Sequence, residues 1–196
     1  MKFKWLPLLI FSITSPVFSQ NIFVDSNQVA LFINGNFVWS ELSQTINISG
    51  GVSIGDILDF GYQYGSSVIK SENYYHKETK FEAHSFLASI ILTKKKMQLS
   101  LDLALTGGNS STILFLGFSI AKKYQFENSL AVIWNVSTGL AFNLDEFPQN
   151  QEFAFTASVD YFLSKLIYFG PGIGYSGEEF FYGFDVGLVV PLPNHK

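Results

Sequence analysis

KMQLSLDLALTGGNSSTILFLGFSIAKKY, residues 96–124, sets the architecture. Met97, Leu99, Leu101, Leu103 and Leu105 alternate with Gln98, Ser100, Asp102, Ala104 and Thr106. Gly107-Gly108-Asn109-Ser110-Ser111 then reads as a turn. A second run alternates in the same way, with Leu114, Leu116, Phe118 and Ile120 opposite Gly117 and Ser119. A period of two is the signature of β-strand, here with one greasy face and one polar or small face. Each run has about the ten residues that a tilted strand needs to cross a bilayer.

Composition narrows what such strands can build. The 196 residues are 47% hydrophobic and 17% aromatic, with 21 Phe and 9 Tyr, and only 14% carry charge. No stretch approaches the roughly 18 consecutive apolar residues of a membrane helix. A hydrophobic chain of this kind is either a dense soluble β-fold or a membrane β-barrel. There is no cysteine, hence neither disulfides nor thiolate metal sites. The net charge is −4 and every basic residue is Lys, which argues against nucleic acid as a partner.

The N-terminus reads as an export signal. Lys2 and Lys4 precede an apolar run from Trp5 to Phe18, interrupted by Pro7 and Pro16. Val17 and Ser19 fit the small-residue rule of a cleavage site, so residues 1–19 are the expected signal peptide and Gln20 the first mature residue. Residues 20–27 form a short leader, 28–192 the barrel and 193–196 a tail.

Along the mature chain the alternation recurs. Val29, Leu31, Ile33, Phe37 and Trp39 share one parity; Gly35 falls in that register, and the stretch reads as one strand. Ile46, Ile48, Val52 and Ile54 follow, then a tight turn at Gly55-Asp56. Phe60, Tyr62, Tyr64 and Val68 make the next greasy face. A polar loop of about 71–80 leads to Phe86, Ala88, Ile90 and Leu92. Beyond the central hairpin come runs at 130–142, 153–161, 167–175 and 184–190. The expected fold is all-β, a closed antiparallel up-and-down transmembrane barrel of about ten strands, or eight if the region before residue 58 stays outside it.

Turns are expected to differ between the rims. Short ones fall at Gly55-Asp56, Thr93–Lys96, the Lys122 region and Leu163–Lys165; longer ones fall at 71–80, 107–111, 143–152 and 176–179. Short turns on one rim and long loops on the other are the outer-membrane arrangement, with the short side periplasmic. Lysines (94–96, 122, 123 and 165) gather on the short rim. Glu72, Glu78, Asp145, Glu146, Glu152, Glu178 and Glu179 gather on the long one.

The polar parity separates a membrane barrel from a soluble one. A soluble barrel shows water a face rich in Lys, Glu and Asp. Here that face is mostly Ser, Thr, Asn, Gln, Gly and Ala, which suits a narrow lumen. Aromatic residues near strand ends (Phe60, Tyr62, Tyr124, Phe126, Phe153, Tyr161, Tyr168, Phe169, Tyr175, Phe180, Phe181 and Tyr182) suit bilayer interfaces. With its alternating hairpins, the GPGIGY strand at 170–175 and the closing FDVGLVVPL strand at 184–192, the chain resembles the small outer-membrane β-barrels of the OmpA/OmpX-like class. The resemblance implies an outer-membrane location, insertion by the barrel-assembly machinery, and contact with outer-membrane lipids and lipopolysaccharide. Many of these barrels end on an aromatic residue, whereas this chain runs on through Pro193-Asn194-His195-Lys196.

Chemistry-bearing residues are sparse. Asp102, Asp160 and Asp185 share the inward parity with Asn135, and Asp59 joins them; they are the expected lumen polar network. Buried carboxylates are costly unless hydrated, hydrogen-bonded or protonated. His84-Ser85 is the one adjacent His–Ser pair, but neighbouring strand residues point to opposite faces. Glu82 and His84 do share a face near the outer rim, where His84 reads as a solvated rim histidine rather than a catalytic base. His76 falls in a loop and His195 in the tail. Gly172-Ile173-Gly174 lacks the helix of a dinucleotide site. No catalytic residue, cofactor or metal is therefore expected. The expected role is structural or surface-interacting, with a narrow channel or part of a transport or secretion assembly as the alternative, and a lipid-modifying enzyme behind both.

Overall fold

The computed structural model describes residues 28–193 except 42, 56, 70–78, 94–96, 109–110, 127–129, 147–150, 165 and 177–178. The expected signal peptide, the leader, His76 and most of the tail lie outside these residues, as do Lys94, Lys95, Lys96, Lys165, Glu72, Glu78 and Glu178.

Ten strands follow one another: β1 (Val29–Trp39), β2 (Ser43–Ile54), β3 (Leu58–Ile69), β4 (Thr79–Thr93), β5 (Gln98–Gly108), β6 (Thr112–Gln125), β7 (Ala131–Asn143), β8 (Gln151–Phe162), β9 (Ile167–Ser176) and β10 (Glu179–Pro191). A 3₁₀ turn, Leu144–Glu146, follows β7. Every strand pairs antiparallel with its neighbours in sequence, and β10 returns to β1 to close the barrel. The count is therefore ten rather than eight, because β1 and β2 are full members. The seam runs from Ala30 opposite Pro191 to Trp39 opposite Tyr182. Closure leaves no open edge, which is what a sheet in hydrocarbon requires, since lipid offers the backbone no hydrogen bonds. With an even number of strands, the start of β1 and the end of β10 share one rim, the terminal rim.

The side-chain alternation follows the expected parity. Leu31, Ile33, Ile46, Ile48, Leu101, Leu103, Leu105, Val186 and Val190 are outward and exposed, while Asn34, Asn36, Asn47, Ser49, Ser100 and Asp102 are inward and buried. Large apolar side chains thus cover the outside, the reverse of a soluble barrel. Gly35 stays in register within β1, opposite Val186 and Ile48, and makes no hairpin. Gly55 closes β2 to β3 at φ 48°, a left-handed conformation that costs glycine little.

Three expectations need correction. Tyr168 and Phe181 point into the barrel, at 1% and 0% exposure, and do not belong to the interface aromatics. The Lys122 region is strand: β6 runs on to Gln125, placing Lys122 outward with its ammonium 4.7 Å from the centre of the Tyr124 ring. Lys123 takes the inward parity. The contrast in loop length is also narrower than expected. On the rim away from the termini, β3 to β4 and β7 to β8 are the long intervals in sequence, whereas two or three residues separate β1 from β2, β5 from β6 and β9 from β10.

Candidate functional site

The interior is where the polar residues meet, and packing decides what they can do. It is layered. At the terminal rim Ala30, Phe32, Ala121, Ala131, Ile133, Phe162, Tyr168 and Val189 form an apolar plug, with the rings of Phe162 and Tyr168 stacked at 4.9 Å. At the opposite rim Leu87, Ala104, Ile113, Phe115, Ala141 and Ala154 fill the side under β4–β8, and Val38 packs on Phe181 under β1 and β10. Glycines make room for the rings. A Cβ on Gly117 or Gly139 would come within 2.5 Å of the Phe115 ring, and one on Gly51 within 2.5 Å of Phe32.

Between the plugs lie the polar side chains. Asp185 accepts a hydrogen bond from Asn36 Nδ2, and Asn36 Oδ1 accepts one from Asn47 Nδ2 at 3.1 Å, a chain across β10, β1 and β2. Asp102 Oδ1 accepts from the Ser89 hydroxyl at 2.7 Å. Ser89 stands in register between Asp102 on β5 and Asp59 on β3, so these three form a second group. Asp160 leans over Gly170, whose absent Cβ would lie 2.6 Å from Asp160 Oδ1. Gly170 is the register partner of Asp185, so Asp160 and Asp185 flank one glycine. Asn135 is buried opposite Ser158 on β8, two residues along β7 from Ile133, the register partner of Asp160. Among the expected lumen residues, Asp185 and Asp102 thus anchor two separate hydrogen-bonded groups. Hydroxyl pairs cross the strands nearer the non-terminal rim: Thr45 with Ser67 at 2.8 Å and Ser85 with Thr106 at 2.9 Å.

A water-filled bore would leave its lining accessible. Instead Asn47 is 1% exposed, Asp160 2%, Asp185 3%, Asn36 4% and Asp102 5%. The lumen of this barrel is packed with side chains, as small barrels allow.

His84 lies on the outer surface of β4. Its Nδ1 is hydrogen-bonded to the Tyr62 hydroxyl, and its ring lies 5.3 Å from that of Tyr64. Glu82, on the same face, is paired with Lys80 at 3.0 Å. Ser85 faces the lumen, on the opposite side of the wall from the imidazole. What sequence reasoning missed was the interior aromatics. Phe32, Phe115 and Tyr168 carry the greasy character of outward residues on the opposite parity, and the glycines they cover on neighbouring strands were the available signal.

No family model matches the chain, and no curated protein does. Among solved structures it is similar to LpxR from Salmonella typhimurium at a TM-score of 0.51 and 7% identity, over 82% of this chain and 99% of that one. It is also similar to the KdgM porin (TM-score 0.47, 9% identity, 80% and 98% covered) and to the β domain of the Bordetella autotransporter BrkA (0.46, 10%, 85% and 99%). At such identities the likeness is one of fold. The closed ten-strand sheet, its apolar outer face and its packed polar interior make the chain a small β-barrel of the outer-membrane kind.

Proposed function

We propose that the chain is an integral outer-membrane barrel with a closed lumen, acting as a structural or surface-interaction protein through its non-terminal rim. One observation supports this reading: Asn36, Asn47, Asp102, Asp160 and Asp185, in the middle of the lumen, are only 1–5% exposed, where a water-filled bore would leave them accessible. On this reading residues 1–19 are the signal peptide that exports the chain, and the barrel-assembly machinery inserts it. The terminal rim faces the periplasm. Outer-membrane lipids and lipopolysaccharide surround the apolar face. The working surface is then the opposite rim, where Asp145, Glu152 and Glu179 lie. Asp145 already organises it, accepting the Thr112 amide at 2.7 Å and so tying the 3₁₀ turn to the start of β6.

Planar-bilayer recording of the purified protein tests the proposal. Conductance at background level is expected. Stepwise openings would move the assignment to a narrow channel or a transport assembly. In a deletion strain unchanged lipid A is expected, and altered acylation would move the assignment to a lipid-modifying enzyme.

A further inference from the structure

We propose that the lumen wall binds one structural water molecule in a recess over Gly65, shared by β2, β3 and β4. Gly65 on β3 is in register with Asn47 on β2 and Ala83 on β4. The Asn47 amide is oriented by its neighbour: Nδ2 donates to Asn36 Oδ1 at 3.1 Å, which turns the amide oxygen the other way, toward β3. There a Cβ on Gly65 would lie 2.5 Å from Asn47 Oδ1, so the oxygen is laid over the bare glycine. Asn47 is 1% exposed and this oxygen accepts no hydrogen bond from the protein. A buried acceptor left so is costly, a penalty that a donor in the recess removes.

The recess has the size and chemistry for that donor. Its volume is about 10 Å³, and Asn47, Gln63, Ser67 and Ser85 supply polar atoms around Gly65. A bound water needs about this much space and two to four polar partners. Ser67 and Ser85 already bond Thr45 and Thr106, yet a hydroxyl that makes one such bond keeps capacity for a second. All the lining groups are neutral, which favours water over an ion. Glycine at position 65 is then the cradle of the site.

The test uses the full barrel in detergent micelles. The Gly65 α-proton that stands where a Cβ would be points into the recess and does not exchange, so a cross-relaxation peak between it and water reports occupancy directly. The proposal expects that peak, and expects the long-lived water signal in magnetic relaxation dispersion to fall by one molecule in Gly65→Ala. No peak in the wild-type protein would overturn it. So would an unchanged dispersion in a folded Gly65→Ala protein. If that variant does not fold, the wild-type peak alone decides. Loss of the wild-type peak on exchanging potassium for sodium would assign the recess to a cation and overturn it as well.

Discussion

At the scale of single residues, the barrel is organised by what each inward position leaves room for. Phe115 can lie flat inside the wall only because positions 117 and 139 have no side chain. Gly139→Ala would place a Cβ 2.5 Å from both the Phe115 ring and the Leu116 carbonyl, and should destabilise the barrel by about 1–3 kcal/mol. At Gly107 nothing lies within 4 Å of the place a methyl group would take, so Gly107→Ala should be neutral or stabilising by up to about 1 kcal/mol. Urea-unfolding midpoints of the two variants in lipid vesicles check the pair, and equal effects would contradict the packing described. Asn36→Leu removes the donor to Asp185 and should cost about 1–3 kcal/mol by the same measurement. His84→Ala, an outer-surface change, should stay within about 0.5 kcal/mol of the parent.

At the scale of the element, each strand shows one face to lipid and one to the packed interior, and a substitution can ask which solvent lies outside. Leu103 sits mid-way along β5 at 45% exposure. If hydrocarbon covers it, Leu103→Arg should cost about 2–4 kcal/mol, while Gln44→Arg at the rim end of β2 should cost about 0–1 kcal/mol. If water covered it, Leu103→Arg would be harmless. Unfolding in vesicles separates the two. The parity that underlies this prediction was legible in the sequence, because period-two alternation maps directly onto the two faces of a sheet. Residue by residue, 101, 103 and 105 went outward and 98, 100 and 102 inward as read. Sequence could not place Tyr168 or Phe181. An aromatic at a strand end suits a bilayer interface and a glycine-lined pocket equally well. Choosing between them needs the register that sets Tyr168 opposite Gly187. The end of β6 was missed for a related reason: Lys122 and Lys123 resemble a solvated turn, but the strand carries them on to Tyr124 and Gln125.

At the scale of the whole molecule, closure and filling are separate achievements of the same chain. Closure comes from the β1–β10 seam. It is extended past the strand by the Leu192 amide bonding the Val29 carbonyl at 2.7 Å. Filling comes from apolar plugs at the rims and two carboxylate clusters between them, one of which joins strands far apart in sequence through the Asn36–Asp185 hydrogen bond. The carboxylates were legible as inward residues. Their partners were not, since Asn36 meets Asp185 only once the barrel has closed. Both closure and filling serve a barrel made for a membrane. Gel mobility of the membrane fraction in detergent, unheated against heated, puts that to the test. A band in the membrane fraction that changes mobility on boiling is expected, as a detergent-resistant barrel unfolds. A protein found in the soluble fraction, with one mobility heated or not, would contradict it.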